Sequence, residues 1–298
     1  AALDARADAC DACDAGDACD ASPRASRFAE ARVLGGASIG HTSVVVKLRF
    51  EGGLVAAWKP DTRRGPGRYR GEVAARRLAT ALGLEANVPE AMLRGFALDE
   101  LRPGLPPEAV RLLEAEAVPA RDGRIPGALI PWIPGLRFPP LDRQPALGRW
   151  RGELAGAPGA HPGDATPEGR ARLAELSALV VFDSVSGNWD RWSGGNLGEH
   201  PSTGRLLFID NDGAFLATPP ADALARQRRL LAGTRRFSAS LALALAALDA
   251  ERLDLVFGRD LSGGPLLGAE ALAGVRARLG EVKRAVATQA LDAGAPLP

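Results

Sequence analysis

Phe182-Asp183-Ser184-Val185-Ser186-Gly187-Asn188-Trp189-Asp190-Arg191-Trp192-Ser193-Gly194-Gly195-Asn196 decides how this chain is read. The stretch begins as the end of an apolar helix and breaks into small, polar and charged residues. An ordinary loop has the same look, because Asn, Gly and Asp favour turns, so its surroundings matter. Upstream, Thr166-Pro167-Glu168 is a helix start, with Thr as cap and Pro in the first turn, and predicts a helix to about residue 186. Downstream, 187–204 reads as a loop and 206–210 as a strand. That strand ends in Phe208-Ile209-Asp210-Asn211-Asp212-Gly213-Ala214-Phe215. Asp-Gly is turn chemistry. A calcium loop is disfavoured, since the spaced ligands and terminal Glu are missing. From 221 to 291 the pattern is mostly helical.

The first half differs in kind. A glycine-rich stretch, Leu34 to Thr42, precedes two β-rich runs at 43–50 and 54–59, with Glu51-Gly52-Gly53 as the hairpin turn. Pro60 ends the second run because it cannot donate to a ladder. Residues 70–82 predict a helix with Ala74, Leu78, Ala81 and Leu82 on one face and Gly83 as cap. Residues 88–94 and 128–133 read as strands, 99–126 as an insertion rich in Pro and charge, and 139–168 as a long loop. The order is therefore β-rich first and helical second, with a hinge near 131–136. That is an α+β chain of two lobes.

Composition narrows the classes. The 298 residues are 46% apolar, enough for a sizeable core without disulfides. Charge is balanced, 37 Lys and Arg against 36 Asp and Glu, which argues against a nucleic-acid partner. No run is long and apolar enough for a membrane span. Residues 1–25 read as a disordered Ala/Asp/Cys tail holding Cys10, Cys13 and Cys19, one residue short of a zinc ligand set. Six Asp and one Arg give its first 22 residues a charge of −5, leaving +6 on the remainder. A mildly basic domain suits anionic phosphates. The tail and the start at Ala1 tilt the expected location towards export, and a cysteine-free domain is also at home in a reducing compartment.

Five pieces fall in a meaningful order: a Gly-rich turn between strands, Lys59 closing a strand, Glu72 in the first turn of the next helix, Asp190 in a loop with Asn196 beyond it, and Asp210 at a strand end. Singly, each is an ordinary surface or turn residue. Together they are what phosphoryl transfer from a nucleotide needs: amides over phosphates, a cation upon them, a carboxylate to orient that cation, a carboxylate near the acceptor hydroxyl and oxygen ligands for a divalent metal. Competing mechanisms lack their parts. The chain has no G-x-x-x-x-G-K-[ST], no H-E-x-x-H and no G-x-S-x-G, and Gly36-Ala37-Ser38-Ile39-Gly40 has Gly at the wrong offset. Its histidines are His41, His161 and His200, the last read as a solvated loop residue.

Asn188-Trp189-Asp190-Arg191 followed by Ile209-Asp210-Asn211 resembles the atypical kinases of the secretory pathway, the Golgi casein kinase, xylosylkinase and Four-jointed type, with their bacterial relatives. That family carries G-N-x-D-R-H and then D-N-G. The first half agrees: Trp58-Lys59-Pro60, Glu72-Val73-Ala74-Ala75 and Val88-Pro89 are similar to its K-P strand, E-x-A-A helix and V-P strand. More distantly the chain is similar to phosphatidylinositol kinases and HipA-type kinases. The resemblance covers about 34–290 and implies a protein-kinase-like fold, with an N-lobe over 26–131 and a C-lobe over 132–298. It implies ATP with Mg²⁺ or Mn²⁺, and an acceptor bearing a hydroxyl. Lys59 would hold the α/β-phosphates and Glu72 would orient it. Asp190 would be the catalytic aspartate, and Asp210 and Asn196 the metal ligands. Gly35, Gly36, Ser38 and Gly40 would cover the phosphates, and Leu129 to Trp132 would flank the adenine.

Two departures stand out. Trp192 replaces the family's His, so packing there must differ. Asn196 sits one residue beyond the usual ligand position, which is Gly195. A bulge at Gly194-Gly195 could absorb the extra residue. Without it the chain would bind nucleotide without turnover, as a pseudokinase.

Overall fold

A computed structural model describes residues 23–40, 43–156, 166–290 and Leu297. The Cys-bearing residues 1–22, His41 and His161 lie outside them. The expected end of the tail at 25 falls inside a helix, α1 (Pro23–Glu30), whose Phe28 is buried edge-on against Phe50, ring centroids 5.5 Å apart.

The N-terminal half is an antiparallel sheet of order β1-β2-β3-β5-β4, from β1 (Val33–Ser38), β2 (Val46–Phe50), β3 (Val55–Pro60), β4 (Met92–Leu93) and β5 (Gly127–Pro131). Glycines at φ 70° and 72° make the β2–β3 turn, as the Gly52-Gly53 pair predicts. Strand alternation sorts the sheet into two faces. Val46, Leu48, Phe50, Ala56, Trp58 and Leu129 join Phe28 and Phe96 in one core. Lys47, Ala57, Lys59, Ala128 and Ile130 share the other face, being paired across β2, β3 and β5.

The expected insertion at 99–126 is mostly helical. The short α3 (Leu98–Leu101) and α4 (Pro107–Glu116) bury Leu101, Ala109, Val110 and Leu113 in the sheet's core. The strand expected at 88–94 shortens to β4.

After α2 (Tyr69–Ala81), whose Leu82 and Gly83 end the helix as expected, the chain passes through the sheet and turns helical. The long loop expected at 139–168 contains a helix, α5 (Ala146–Leu154). Pro and Gly dominate that segment and hide it from a pattern reading. Tertiary contact holds it instead: Trp150 donates to the Leu141 carbonyl (2.9 Å) and stacks on Trp192 at 6.0 Å.

α6 (Pro167–Ser186) begins where the sequence puts it, with the Thr166 hydroxyl accepting from Gly169 N at 3.1 Å, and stops at left-handed Gly187. A hairpin of β6 (Leu197–Glu199) and β7 (Leu206–Phe208) follows, so the expected loop at 187–204 holds one strand. α7 (Ala221–Ala232), α8 (Ala239–Ala247), α9 (Leu253–Phe257) and α10 (Ala269–Ala290) complete the helical half. Its core also takes in Val73, Ala74, Ala75, Leu78 and Ala79 of α2.

Candidate active site

Lys59 and Glu72 meet. Lys59 Nζ donates to Glu72 Oε1 at 2.5 Å, and both side chains are nearly buried. Pro60 stops β3 one residue later, so Lys59 is the last side chain that the strand presents towards α2. The same ammonium pairs with Asp210 and lies 3.6 Å from Asp212. Burial opposes a lysine's charge. Glu72, Asp210 and Asp212 outweigh it and hold the Lys59 pKa above its ordinary value, so the group is a fixed cation.

The 210–214 segment is wedged between α2 and the loop after α6. A Cβ on Gly71 would lie 2.5 Å from the Asn211 carbonyl, so glycine in the first turn of α2 lets this backbone approach. Asn211 N donates to Glu72 Oε1 at 2.9 Å, tying strand end and helix together. On the far side, a Cβ on Gly213 would lie 3.0 Å from Asp190 Cβ. Asp210 itself has φ 55°, a left-handed conformation that Asp tolerates better than most residues and that recurs at functional sites.

Asp190 follows α6 by four residues. Asn188 Oδ1 accepts from Asp190 N at 3.1 Å, turning the chain. Gly194 and Gly195, where the sequence suggests a bulge, both have positive φ, 96° and 82°. Asn196 is buried and delivered back to Asp190, donating from Nδ2 to its carbonyl (2.9 Å) and its carboxylate (3.2 Å).

Arg191 assembles these pieces. Buried at 1% exposure, it donates to Asp183 in α6, to the Asn196 and Ile209 carbonyls at 2.5 Å each and to Asn211 Oδ1 at 2.7 Å. Arg191, Asp183, Asn211 and Asp212 lie in the quoted stretches, and no role for them follows from sequence. One signal was present: Asp183 is a lone acid in an otherwise apolar helical run, and a buried carboxylate calls for a cation.

The nucleotide-covering positions need correction. Gly35 and Gly36 are not in a free loop; they lie within β1. A Cβ on Gly36 would sit 2.6 Å from the Lys47 carbonyl and 2.8 Å from Leu105, and one on Gly35 would sit 2.6 Å from the Arg49 guanidinium. Their small size serves strand packing. Ser38 closes β1. Gly40 alone belongs to the turn before β2, where a Cβ would fall 1.8 Å from the Ser43 carbonyl. Leu129 points into the sheet's core beside Trp58, so Ala128 and Ile130 are the β5 side chains on the Lys59 face. Trp132 is half-buried with Lys47 Nζ 3.9 Å from its ring centre. Trp192 stacks on Trp150, and its indole N–H is left buried without a partner among the described residues. His200 keeps to its turn, its ring nitrogen 3.1 Å from Ser202 Oγ.

The partners of Lys59 are carboxylate oxygens, the hard ligands that Mg²⁺ and Mn²⁺ take. Among the described residues no three acidic, His or Cys side chains close on one point as a metal cage.

Sheet, bridging helix, wedge and loop define a two-lobed protein-kinase-like fold. Particular solved structures share it. The Golgi casein kinase superposes with a TM-score of 0.66 at 13% identity, over 92% of this chain and 77% of that one. The same kinase with Mn/ADP bound gives 0.64 at 13%, over 89% and 75%. Hydra Fam20 with sugar gives 0.64 at 17%, over 90% and 88%. No family sequence model matches the chain, and no curated protein matches it in sequence. The likeness is one of fold. No helix among the described residues is long and apolar enough to cross a membrane.

Proposed function

We propose that this chain is an ATP- and divalent-metal-dependent phosphotransferase that moves the γ-phosphate to a hydroxyl of a protein, sugar or small molecule. One observation carries the reading: Lys59, Glu72 and Asp210, 151 residues apart at the extreme, converge on a single ion network built on a buried Lys59–Glu72 pair. An isolated structural ion pair does not require a second carboxylate from a strand end beside a loop aspartate. Lys59 holds the α/β-phosphates, and Glu72 fixes its position. Asp210 and Asn196 present oxygens to the metal, which supplies charge neutralisation on the phosphates. Asp190 accepts the proton of the acceptor hydroxyl and orients its oxygen. The structure with Mn/ADP bound supports nucleotide and metal as partners for this fold.

The test is a thermal shift with ATP, with and without Mg²⁺ or Mn²⁺, followed by radiolabelled phosphate transfer to mixed hydroxyl acceptors. Ligand binding to the native state raises the melting temperature by mass action. Wild type should shift with metal and ATP, and Asp210→Ala should not. Asp190→Ala should keep the shift and lose transfer by at least about a hundredfold. A wild-type protein that shifts and never transfers phosphate is a pseudokinase. One that does not shift is not a nucleotide-binding protein of this kind.

A further inference from the structure

Lys59 carries more negative charge than the D-N-G pattern supplies. Where that pattern has Gly, this chain has Asp212. Its carboxylate lies 3.6 Å from Lys59 Nζ, with the side chain only 14% exposed. The same ammonium already serves Glu72 and Asp210.

Asp212 is held where it is. A Cβ on Gly71 would lie 3.3 Å from Asp212 Cα, and the next residue, Gly213, abuts Asp190. The wedge therefore gathers three carboxylates, Glu72, Asp210 and Asp212, around Lys59, with Asp190 on the far side of Gly213. Arg68 does not pair with these carboxylates; its guanidinium lies over the Trp189 ring at 5.7 Å. A nucleotide triphosphate would bring more negative charge to a site already short of cations.

We infer that Asp212 is a positioning residue that makes nucleotide capture conditional on a divalent cation. It competes with the phosphates for Lys59, and gives way only when the charge of the metal offsets its own. The inference rests on the phosphotransferase reading above. It concerns the Asp212 carboxylate as a rival for Lys59, not as a metal ligand.

Isothermal titration with ATP separates the possibilities. Wild type, Asp212→Asn, Asp212→Gly and Asp212→Glu are each titrated in EDTA and in Mn²⁺. Removing one unit charge about 4 Å from the phosphate-holding cation should tighten metal-free binding roughly tenfold or more. Asp212→Asn and Asp212→Gly should therefore gain in EDTA and stay near wild type in Mn²⁺. Asp212→Glu, which keeps the charge, should keep the wild-type ratio between the two buffers. A merely structural residue would lower both affinities together and leave that ratio unmoved.

Metal-free affinities of the Asn and Gly variants within about twofold of wild type overturn the inference. So does a loss confined to Mn²⁺, which would make Asp212 a metal ligand. If wild type binds ATP in Mn²⁺ and the variants do not differ, the inference alone falls. If wild type binds in neither buffer, the phosphotransferase reading falls and takes the inference with it.

Discussion

Arg191 is the residue on which the site's geometry turns. Its planar fork meets a helix carboxylate, two loop carbonyls and an amide at once, which a lysine point charge cannot do. Arg191→Met would leave Asp183 buried without its cation, at a cost of about 3–5 kcal/mol. The pH dependence has a definite sign. Burial raises the Asp183 pKa and Arg191 opposes that rise. Without Arg191 the folded-state pKa climbs further above the unfolded value near 3.9. Stability is then intact below about pH 4 and is lost as pH rises through the folded pKa. The penalty measured by urea unfolding should grow as pH rises from about 4, and Asp183→Asn in the Arg191→Met background should flatten it. A pH-independent cost below about 1 kcal/mol would show that the pair does not organise the loop. Lys59, Glu72, Asp190 and Asp210 stand out in sequence as ionic side chains at element ends, and the structure brings Lys59, Glu72 and Asp210 together. Arg191 and Asp183 do not stand out in this way, because their partnership is set by how a helix end folds back on a loop.

At the scale of elements, the β-rich runs, α2 and α6 are legible from periodicity, hairpin glycines and caps. α5 and β6 are not, since packing against Trp192 and pairing with β7 sustain them more than local preference does. The contact between α2 and the 210–214 wedge is also invisible to pattern, yet a glycine marks it. In an exposed helix Gly71→Ala would gain up to about 1 kcal/mol from propensity. Here the new methyl meets the Asn211 carbonyl at 2.5 Å and the Ala214 carbonyl at 3.4 Å, both backbone atoms that cannot rotate aside. Overpacking of this kind costs about 1–3 kcal/mol, so destabilisation should win. The displaced wedge should also break the Asn211–Glu72 bond and weaken metal-dependent ATP binding more than it lowers the melting temperature. Wild-type affinity in a Gly71→Ala protein would mean that the wedge is free to move.

For the whole molecule, the important feature is that the Lys59–Glu72 pair joins two different cores. Lys59 stands on a sheet whose other face is the aromatic cluster of Phe28, Phe50, Trp58 and Phe96. Glu72 stands on α2, whose apolar face belongs with α6 and α10 in the helical core. The two cores can therefore be perturbed separately, and the site should report on both. Phe96 is fully buried, with Trp58 edge-on at 5.1 Å. Phe96→Ala should cost about 3–5 kcal/mol, all of it in the sheet. If the halves are distinct cooperative units, hydrogen exchange should speed up first in 46–60 and 127–131, with 167–186 and 269–290 still protected. Protection of the sheet amides should be lost at a lower temperature than helical circular dichroism. ATP binding should fail with the earlier event, since Lys59 leaves with the sheet while Glu72 stays with the helices. A single transition seen alike by circular dichroism and exchange would instead make the chain one cooperative unit. The ion pair would then be a seam inside that unit, and substitutions at Lys59 or Glu72 would lower the stability of both halves together.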